Sequence, residues 1–157
     1  MIPDKLVAFL HGPVVTWVGT RDARLRPTVT WAFGVRVAAA SGEITAFVPD
    51  VEIARTKRNL EHNGLVAFTV ADPVSHEAYQ FKGKLTGMRP SNDEERAVQD
   101  IHRSKLISHT MKFSAGLFAG FTLYPSTALT FRVEQIFVQT PGPGAGRLLD
   151  PTAEAGG

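Results

Sequence analysis

The sequence contains no cysteine, and this absence excludes disulfide bonds, thiolate zinc sites, iron–sulfur clusters and cysteine nucleophiles. No apolar run approaches the roughly 18 residues of a membrane-spanning helix. The first ten residues also lack the basic start and the long apolar stretch of a signal peptide. Charge is nearly balanced, with 17 Lys and Arg against 15 Asp and Glu, so no basic stripe for nucleic acid stands out. We therefore expect a cytoplasmic protein that binds neither nucleic acid nor membrane.

What is present fits one folded domain followed by a tail. The chain has 157 residues, of which 43% are hydrophobic and 20% are charged, and a chain of this length can bury a core of its own. Proline, glycine and alanine dominate from Pro141 onward, which is typical of a flexible segment. The sequence thus predicts a single domain over residues 1–140 and a flexible Gly/Pro/Ala-rich C-terminal tail over residues 141–157.

Six segments carry the β-branched and aromatic residues of strands, and turn residues separate them. Residues 28–37 alternate most clearly. Val29, Trp31 and Phe33 share one face, which we expect to point to the core, and small polar residues such as Thr30 occupy the other face. The predicted strands cover residues 14–20, 28–37, 44–49, 65–71, 76–88 and 127–138.

Three helices are predicted, at residues 3–11, 51–62 and 91–113. The third begins with a capping box, in which Ser91 and Glu94 satisfy each other's free backbone amides. Short strands at hairpin spacing favour antiparallel pairing, and the helices are too few for a doubly wound sheet. The fold prediction is therefore mainly β (α+β), a six-stranded antiparallel barrel with flanking helices.

The sequence contains no motif that identifies a catalytic or metal-binding residue. There is no GxSxG elbow and no HExxH pair, and the glycine-rich run at 142–146 lacks the surroundings of a phosphate loop. His102 and His109 lie seven residues apart on the third predicted helix, but carboxylates are not clustered with them. A structural or surface role is favoured for each histidine, with a single haem-ligating histidine as an alternative. We predict no metal site and identify no catalytic residue.

Three stretches of the sequence have a characteristic order and separation. Residues 26–31 (RPTVTW) combine a turn, a proline and an alternating strand. Residues 47–49 (FVP) end a strand, and residues 55–63 (RTKRNLEHN) form a basic segment that ends in Asn-Leu and a second Asn. Residues 79–83 (YQFKG) form an alternating strand that ends in glycine. This arrangement, which extends over about residues 5–139, resembles the pyridoxamine 5'-phosphate oxidase-like superfamily of FMN-binding split β-barrels.

The resemblance implies that the domain over residues 1–140 is such a barrel, with a cofactor site near the second stretch. Members typically hold the flavin phosphate with an Arg on the second strand and a Ser-x-Lys near the first interior helix. This sequence has Thr30 where the strand Arg is expected, and the helix offers Arg55, Thr56 and Lys57. Cations beside a helix start suit a phosphate dianion, although a basic run is also typical of a solvated helix face. The candidate cofactor-binding residues are Thr30, Phe47, Val48, Pro49, Arg55, Thr56, Lys57 and Gln80.

The function that the resemblance implies is an FMN-dependent oxidoreductase acting on a small organic substrate, with the redox chemistry carried by the cofactor. The alternatives are an F420-binding or haem-binding relative, or a non-catalytic ligand-binding dimer without a cofactor. The resemblance also implies a homodimer with the cofactor between two subunits. The aromatic content agrees, because a small barrel does not easily enclose Trp17, Trp31 and six phenylalanines, and some of them would cover a two-fold interface.

Overall fold

Seven antiparallel strands form one sheet in the part of the chain that the computed structural model describes, residues 1–114 and 116–149. In chain order the strands are β1 (Val15–Arg21), β2 (Pro27–Ala32), β3 (Val35–Ala38), β4 (Glu43–Pro49), β5 (Leu65–Ala71), β6 (Ala78–Pro90) and β7 (Ser126–Val138). Across the sheet their order is β2-β1-β5-β6-β7-β4-β3. The predicted mainly β, antiparallel architecture is confirmed.

Three α-helices accompany the sheet within the described residues: α1 (Asp4–Leu10), α2 (Ala54–Asn63) and α3 (Asp93–Ser114). The capping box of α3 lies one residue later than predicted. The Asn92 side chain accepts from the Glu95 amide at 3.0 Å, and the Glu95 carboxylate accepts from the Asn92 amide at 2.9 Å. The Ser91 hydroxyl instead contacts the Ser126 hydroxyl at the start of β7.

The sheet closes on itself where β2 passes into β3. Phe33 and Gly34 form the link between these two strands, which lie at opposite edges of the sheet. The Phe33 amide donates to the carbonyl oxygen of Phe47 in β4 at 2.8 Å, and the Phe47 amide donates to the Gly34 carbonyl oxygen at 3.4 Å. The two edges therefore meet at this link, and the sheet forms a barrel rather than an open layer.

The prediction of six strands is wrong, because residues 28–37 form two strands and not one. Gly34 has a φ of +80°, a backbone conformation that other residues rarely adopt. A Cβ at this position would lie 3.1 Å from Cγ1 of Val98 in α3. The Gly34 amide also donates to Nδ1 of His102, at 2.9 Å, instead of joining a strand ladder. The close approach of α3 thus interrupts the strand and raises the count to seven.

The predicted orientation of β2 is also wrong. Val29 is 62% exposed and Trp31 is partly exposed, whereas Thr30 is only 3% exposed and Ala32 packs in the barrel interior. Phe33 is buried, but in a second cluster outside the barrel. The regular alternation of inward and outward side chains is broken at the Phe33–Gly34 link. As a result, both Ala32 and Val35 point into the barrel interior. Alternation alone does not specify which face is buried when both sides of a strand have something to pack against.

The apolar residues form two cores. The first fills the barrel, with Phe68, Phe81 and Phe131 at its centre, and α1 covers one side of it. The second lies outside the barrel, where α3 and residues 116–124 pack against β1 and β2, and it contains Trp17, Trp31, Phe33, Phe118, Phe121 and Leu123. Most of the aromatic side chains are therefore covered within one chain.

Part of the predicted tail lies within the described residues. Residues 141–149 turn back toward the end of β7, where the Leu149 amide donates to the Ile136 carbonyl oxygen at 2.7 Å. Leu149 is buried in the barrel core. Residues 150–157 lie outside the described residues. Among the helices of the described chain, none is both long enough and apolar enough to cross a membrane.

Candidate functional site

Helix α2 is held against the barrel by two asparagines one turn apart. The buried Asn59 side chain donates to the Thr20 hydroxyl at 3.0 Å and approaches the Thr28 hydroxyl at 3.4 Å. The Asn63 side chain donates to the carbonyl oxygen of Arg21 at 2.8 Å. These bonds fix α2 beside β1 and β2. They give a structural role to the two asparagines of the basic segment.

An arginine-lined cavity of about 290 Å³ lies between α2 and the turn that joins β1 to β2. Arg55 and Arg58, three residues apart on one face of α2, contribute two of its three guanidinium groups. Arg26 contributes the third from the turn. The cavity is lined by Asp22, Arg26, Pro27, Thr28, Arg55, Arg58 and Asn59.

The turn itself is ordered around Asp22. One carboxylate oxygen accepts from the backbone amides of Arg24 and Arg26, at 2.8 and 3.0 Å, and the other accepts from Nε of Arg26 at 2.7 Å. The Arg26 amide and the Arg26 guanidinium lower the pKa of the Asp22 carboxyl below its usual value. Arg26 is therefore already paired, whereas Arg55 and Arg58 form no ion pair with any described residue.

A second cavity, of about 420 Å³, continues from the first along α2, because both are lined by Thr28, Arg55 and Arg58. Thr30 lines it, and its buried hydroxyl has no hydrogen-bond partner among the described residues. Apart from the arginines and Glu52, the side chains here are those of alanine, threonine and valine. The lining residues are Thr28, Val29, Thr30, Val51, Glu52, Ala54, Arg55 and Arg58.

A third cavity, of about 340 Å³, shares Val51 and Glu52 with the second and is mainly apolar. Trp31 is one of its lining residues. The Trp31 ring packs against Trp17 and Phe121, and its centroid lies 5.2 Å from the ring centroid of each. The lining residues are Trp31, Pro49, Val51, Glu52, Leu117, Gly120, Phe121 and Thr122.

We refer to these three connected cavities as the α2 groove and to its parts as the arginine end, the middle section and the aromatic end. Each volume is close to or within the range of about 300–1,000 Å³ that small-molecule sites occupy. The groove runs from a positively charged end to an apolar end. It therefore suits an elongated ligand with an anionic group and a flat apolar part. No group of three or more metal-ligating side chains occurs among the described residues.

The structure brings together three of the eight candidate residues from the sequence. Thr30, Pro49 and Arg55 line the α2 groove. Phe47 and Val48 are fully buried in the strand behind it, and Thr56 is buried on the inner face of α2 with its hydroxyl unpartnered among the described residues.

Lys57 and Gln80 lie apart from the groove lining. Lys57 is half-buried on another face of α2. Gln80 is on β6, where its amide donates to the Thr69 hydroxyl at 3.1 Å. Arg26, Thr28 and Arg58 also line the groove but are not among the eight candidates, although the helical period already places Arg58 on the same face as Arg55.

Comparisons with known proteins identify the fold. No protein-family profile matches the chain, and no curated protein does. An F420 reductase of known structure is similar, at 16% identity over 86% of this chain and 98% of its own, with a TM-score of 0.57. HupZ of Group A Streptococcus is similar at 18% identity over 93% of this chain and 100% of its own, with a TM-score of 0.55.

A third solved structure is a pyridoxamine 5'-phosphate oxidase-related, FMN-binding protein from Nostoc punctiforme. It is 13% identical over 92% of this chain and 87% of its own, with a TM-score of 0.51. At these identities the likeness establishes the architecture. The chain shares the fold of these three structures, in agreement with the split β-barrel that the resemblance in its sequence predicts.

Proposed function

Starting from this split-barrel fold, we propose that the chain binds FMN in the α2 groove and acts as an oxidoreductase on a small organic substrate. One observation carries the proposal: an arginine-lined cavity shares lining residues with a section that has small side chains, and this section shares lining residues with a mainly apolar cavity that Trp31 lines. The similar Nostoc protein is described as FMN-binding, which supports the choice of cofactor.

The arginine end fits the phosphate of the cofactor. Guanidinium groups form planar, bidentate hydrogen bonds to phosphate oxygens, and such charge-assisted bonds are stronger than neutral ones. Arg55 and Arg58 would hold the phosphate, because neither is engaged in another ion pair among the described residues. Arg26, already positioned by Asp22, would add a third donor.

The middle section fits the ring system. Thr28, Thr30 and Ala54 have small side chains, so a flat group can approach the backbone there. Thr30 is only 3% exposed and its hydroxyl is buried, so this residue would contribute a small side chain to the wall behind the ring. FMN, when bound, supplies the electron transfer, and the residues of this chain bind it and exclude water.

Deazaflavin F420 is the second candidate cofactor. A similar structure is an F420 reductase, and F420 shares with FMN a flat tricyclic ring and an anionic chain, so the same groove suits both. A haem-binding relative and a non-catalytic ligand-binding dimer stay as further alternatives. Parallel titrations of the cofactor-free protein with FMN, F420 and haem decide among them.

A homodimer is part of the proposal. The outer face of the sheet carries a shallow cavity of about 460 Å³ across β2, β1, β5, β6 and β7. Gly19, Ala67 and the exposed Val29 contribute to it, so this face is partly apolar, although Arg21, Lys82 and Glu134 also line the cavity. A second copy packed there would lie beside the middle section of the groove, since Thr28 and Val29 line both. We propose a cytoplasmic location on the sequence grounds given above.

The cofactor assignment is tested by titrating the cofactor-free protein with FMN and measuring the dissociation constant by calorimetry. Arg55→Ala with Arg58→Ala removes two charge-assisted hydrogen bonds of about 1.5–3 kcal/mol each. We expect FMN affinity to fall at least about a hundredfold, since each 1.4 kcal/mol is a factor of ten.

The matched control is Lys5→Ala with Lys112→Ala, which removes two exposed cations elsewhere on the surface and should leave FMN affinity unchanged. Lys57→Ala should have a smaller effect than the arginine pair, because Lys57 lies outside the groove lining. An unchanged dissociation constant in the arginine double variant would remove the phosphate assignment.

A further inference from the structure

The aromatic end of the α2 groove lacks the arginines that line the other two parts, where Asp22 and Glu52 also occur. Arg26, Arg55 and Arg58 all lie at or next to the arginine end. At the aromatic end, Glu52 is the only charged residue among the described residues that line the cavity. Glu52 is exposed, and it forms no ion pair with any described residue.

This distribution selects against a second anion. A ligand anion needs donors such as guanidinium or ammonium groups to replace the water that it loses. At the aromatic end it would meet the Glu52 carboxylate and apolar side chains instead. Among the groove residues of this chain, the available guanidinium groups are those that the proposed cofactor phosphate would occupy.

The aromatic end has the features of a binding surface for a flat apolar molecule. Trp31 is held in place by Trp17 and Phe121, with ring centroids 5.2 Å apart in each pair. Val51 and Leu117, both largely exposed, lie around it. Aromatic pairs of this kind favour stacked or edge-to-face contacts with a further ring.

From these observations we infer that the substrate is an aromatic molecule without negative charge, bound at the aromatic end of the α2 groove. Phosphorylated and carboxylated substrates are disfavoured by Glu52 and by the lack of a cation among the described residues that line that cavity. The inference rests on the proposed function in one respect only, that the cofactor occupies the arginine end and the middle section.

Two probes with the same ring system test the inference. 2-Naphthamide is neutral, and 2-naphthoate carries one negative charge. Both are titrated into the purified full-length protein saturated with FMN, with calorimetry as the measurement and the fluorescence of the Trp17–Trp31 pair as a second signal. We expect 2-naphthamide to bind at least tenfold more tightly than 2-naphthoate.

Substitutions test whether the preference for 2-naphthamide over 2-naphthoate arises at the aromatic end. Leu117→Arg supplies the missing cation at an exposed position and should tighten 2-naphthoate at least tenfold while changing 2-naphthamide little. Met111→Arg, also at an exposed apolar residue but outside the groove, is the matched control and should change neither. Glu52→Gln should reduce the preference for the amide severalfold, whereas Glu61→Gln on exposed α2 surface should not.

The inference is overturned if 2-naphthoate binds the parent protein as tightly as 2-naphthamide, or if neither probe binds. It is also overturned if Leu117→Arg and Met111→Arg change 2-naphthoate binding equally. Failure of the proposed function has a different signature, because it appears in the FMN titration, which contains no naphthalene probe. If FMN binds and 2-naphthamide does not, only the inference about the substrate is contradicted.

Discussion

His102 shows how one buried side chain can connect three parts of this molecule. It is 5% exposed and lies in α3. Its Nδ1 accepts from the Gly34 amide at 2.9 Å, and its Nε2 lies 2.8 Å from the Val14 carbonyl oxygen. An amide donor at Nδ1 and a carbonyl acceptor at Nε2 are satisfied together by the neutral ring with its proton on Nε2. The structural role favoured for this histidine from the sequence agrees with the arrangement.

Burial lowers the pKa of His102 from 6.5 to about 4, and this shift predicts a pH dependence of stability. The unfolded chain takes up a proton below about pH 6.5, whereas the folded chain does so only near pH 4. The free energy of unfolding should therefore fall between pH 6.5 and 4, by about 2 kcal/mol between pH 7.5 and 5. Urea denaturation at these two pH values measures it.

His102→Gln should be less stable at pH 7.5 and should lose most of the pH dependence in this range. The same slope in the variant as in the parent would assign the effect to other groups. Asp72 and Glu95 have lowered pKa values, so the stability that they contribute is lost only at more acidic pH, as the carboxylates become protonated.

Gly34 predicts a second effect at the residue scale. Alanine there would adopt φ +80° and place its Cβ 3.1 Å from the Val98 side chain. The left-handed conformation alone costs about 1–2 kcal/mol. Gly64→Ala is a matched control, because Gly64 has φ +66° and no described atom within 4 Å of the point where a Cβ would lie. We expect Gly34→Ala to lower the free energy of unfolding clearly more than Gly64→Ala in denaturant titrations; equal losses would contradict the close approach of α3.

At the scale of elements, the sequence predicted most of the segments and missed the positions where two elements meet. The strands β1, β4, β5, β6 and β7 lie close to their predicted bounds because each is isolated by turn residues. The division of residues 28–37 depends on contact with α3 at Gly34, which lies 68 residues from His102 along the chain. A contact between residues so far apart in the chain cannot be inferred from the local sequence pattern.

In the candidate site, too, residues close together in the sequence could be predicted, whereas those brought in from distant segments could not. Arg55 and the basic segment of α2 are visible in the sequence, and the i, i+3 spacing already relates Arg58 to Arg55. Arg26 enters the site only because Asn59 and Asn63 dock α2 beside the β1–β2 turn. The aromatic end needs residues 116–124 to fold over β2, and the sequence assigns this segment neither a helix nor a strand from which its position could be inferred.

At the scale of the whole molecule, the exposed outer face of the sheet carries the prediction of a homodimer. Val29, on the edge strand β2 of that face, is 62% exposed. A lysine there would place like charges across a two-fold interface, where they repel each other. Light scattering at micromolar concentration should give twice the 17.0 kDa mass of one chain.

Val29→Lys should shift the dimer toward the monomer, and Val74→Lys, at an exposed valine away from the outer-face cavity, should not. A parent protein that scatters only as a 17.0 kDa species would refute the dimer. Dissociation by both variants alike would place the interface elsewhere.

The Phe33–Gly34 link has a consequence for how this chain tolerates insertions and deletions. The link fixes the end of β2, and the ordered turn around Asp22 fixes its beginning. Removing one residue between these anchors would exchange the two faces of the strand, so that Thr30 would lose its place in the groove and a bulky neighbour would replace it. The number of residues from Pro27 to Phe33 is thus a property of the ligand site, and we expect it to be far less variable in length than the turns that flank it.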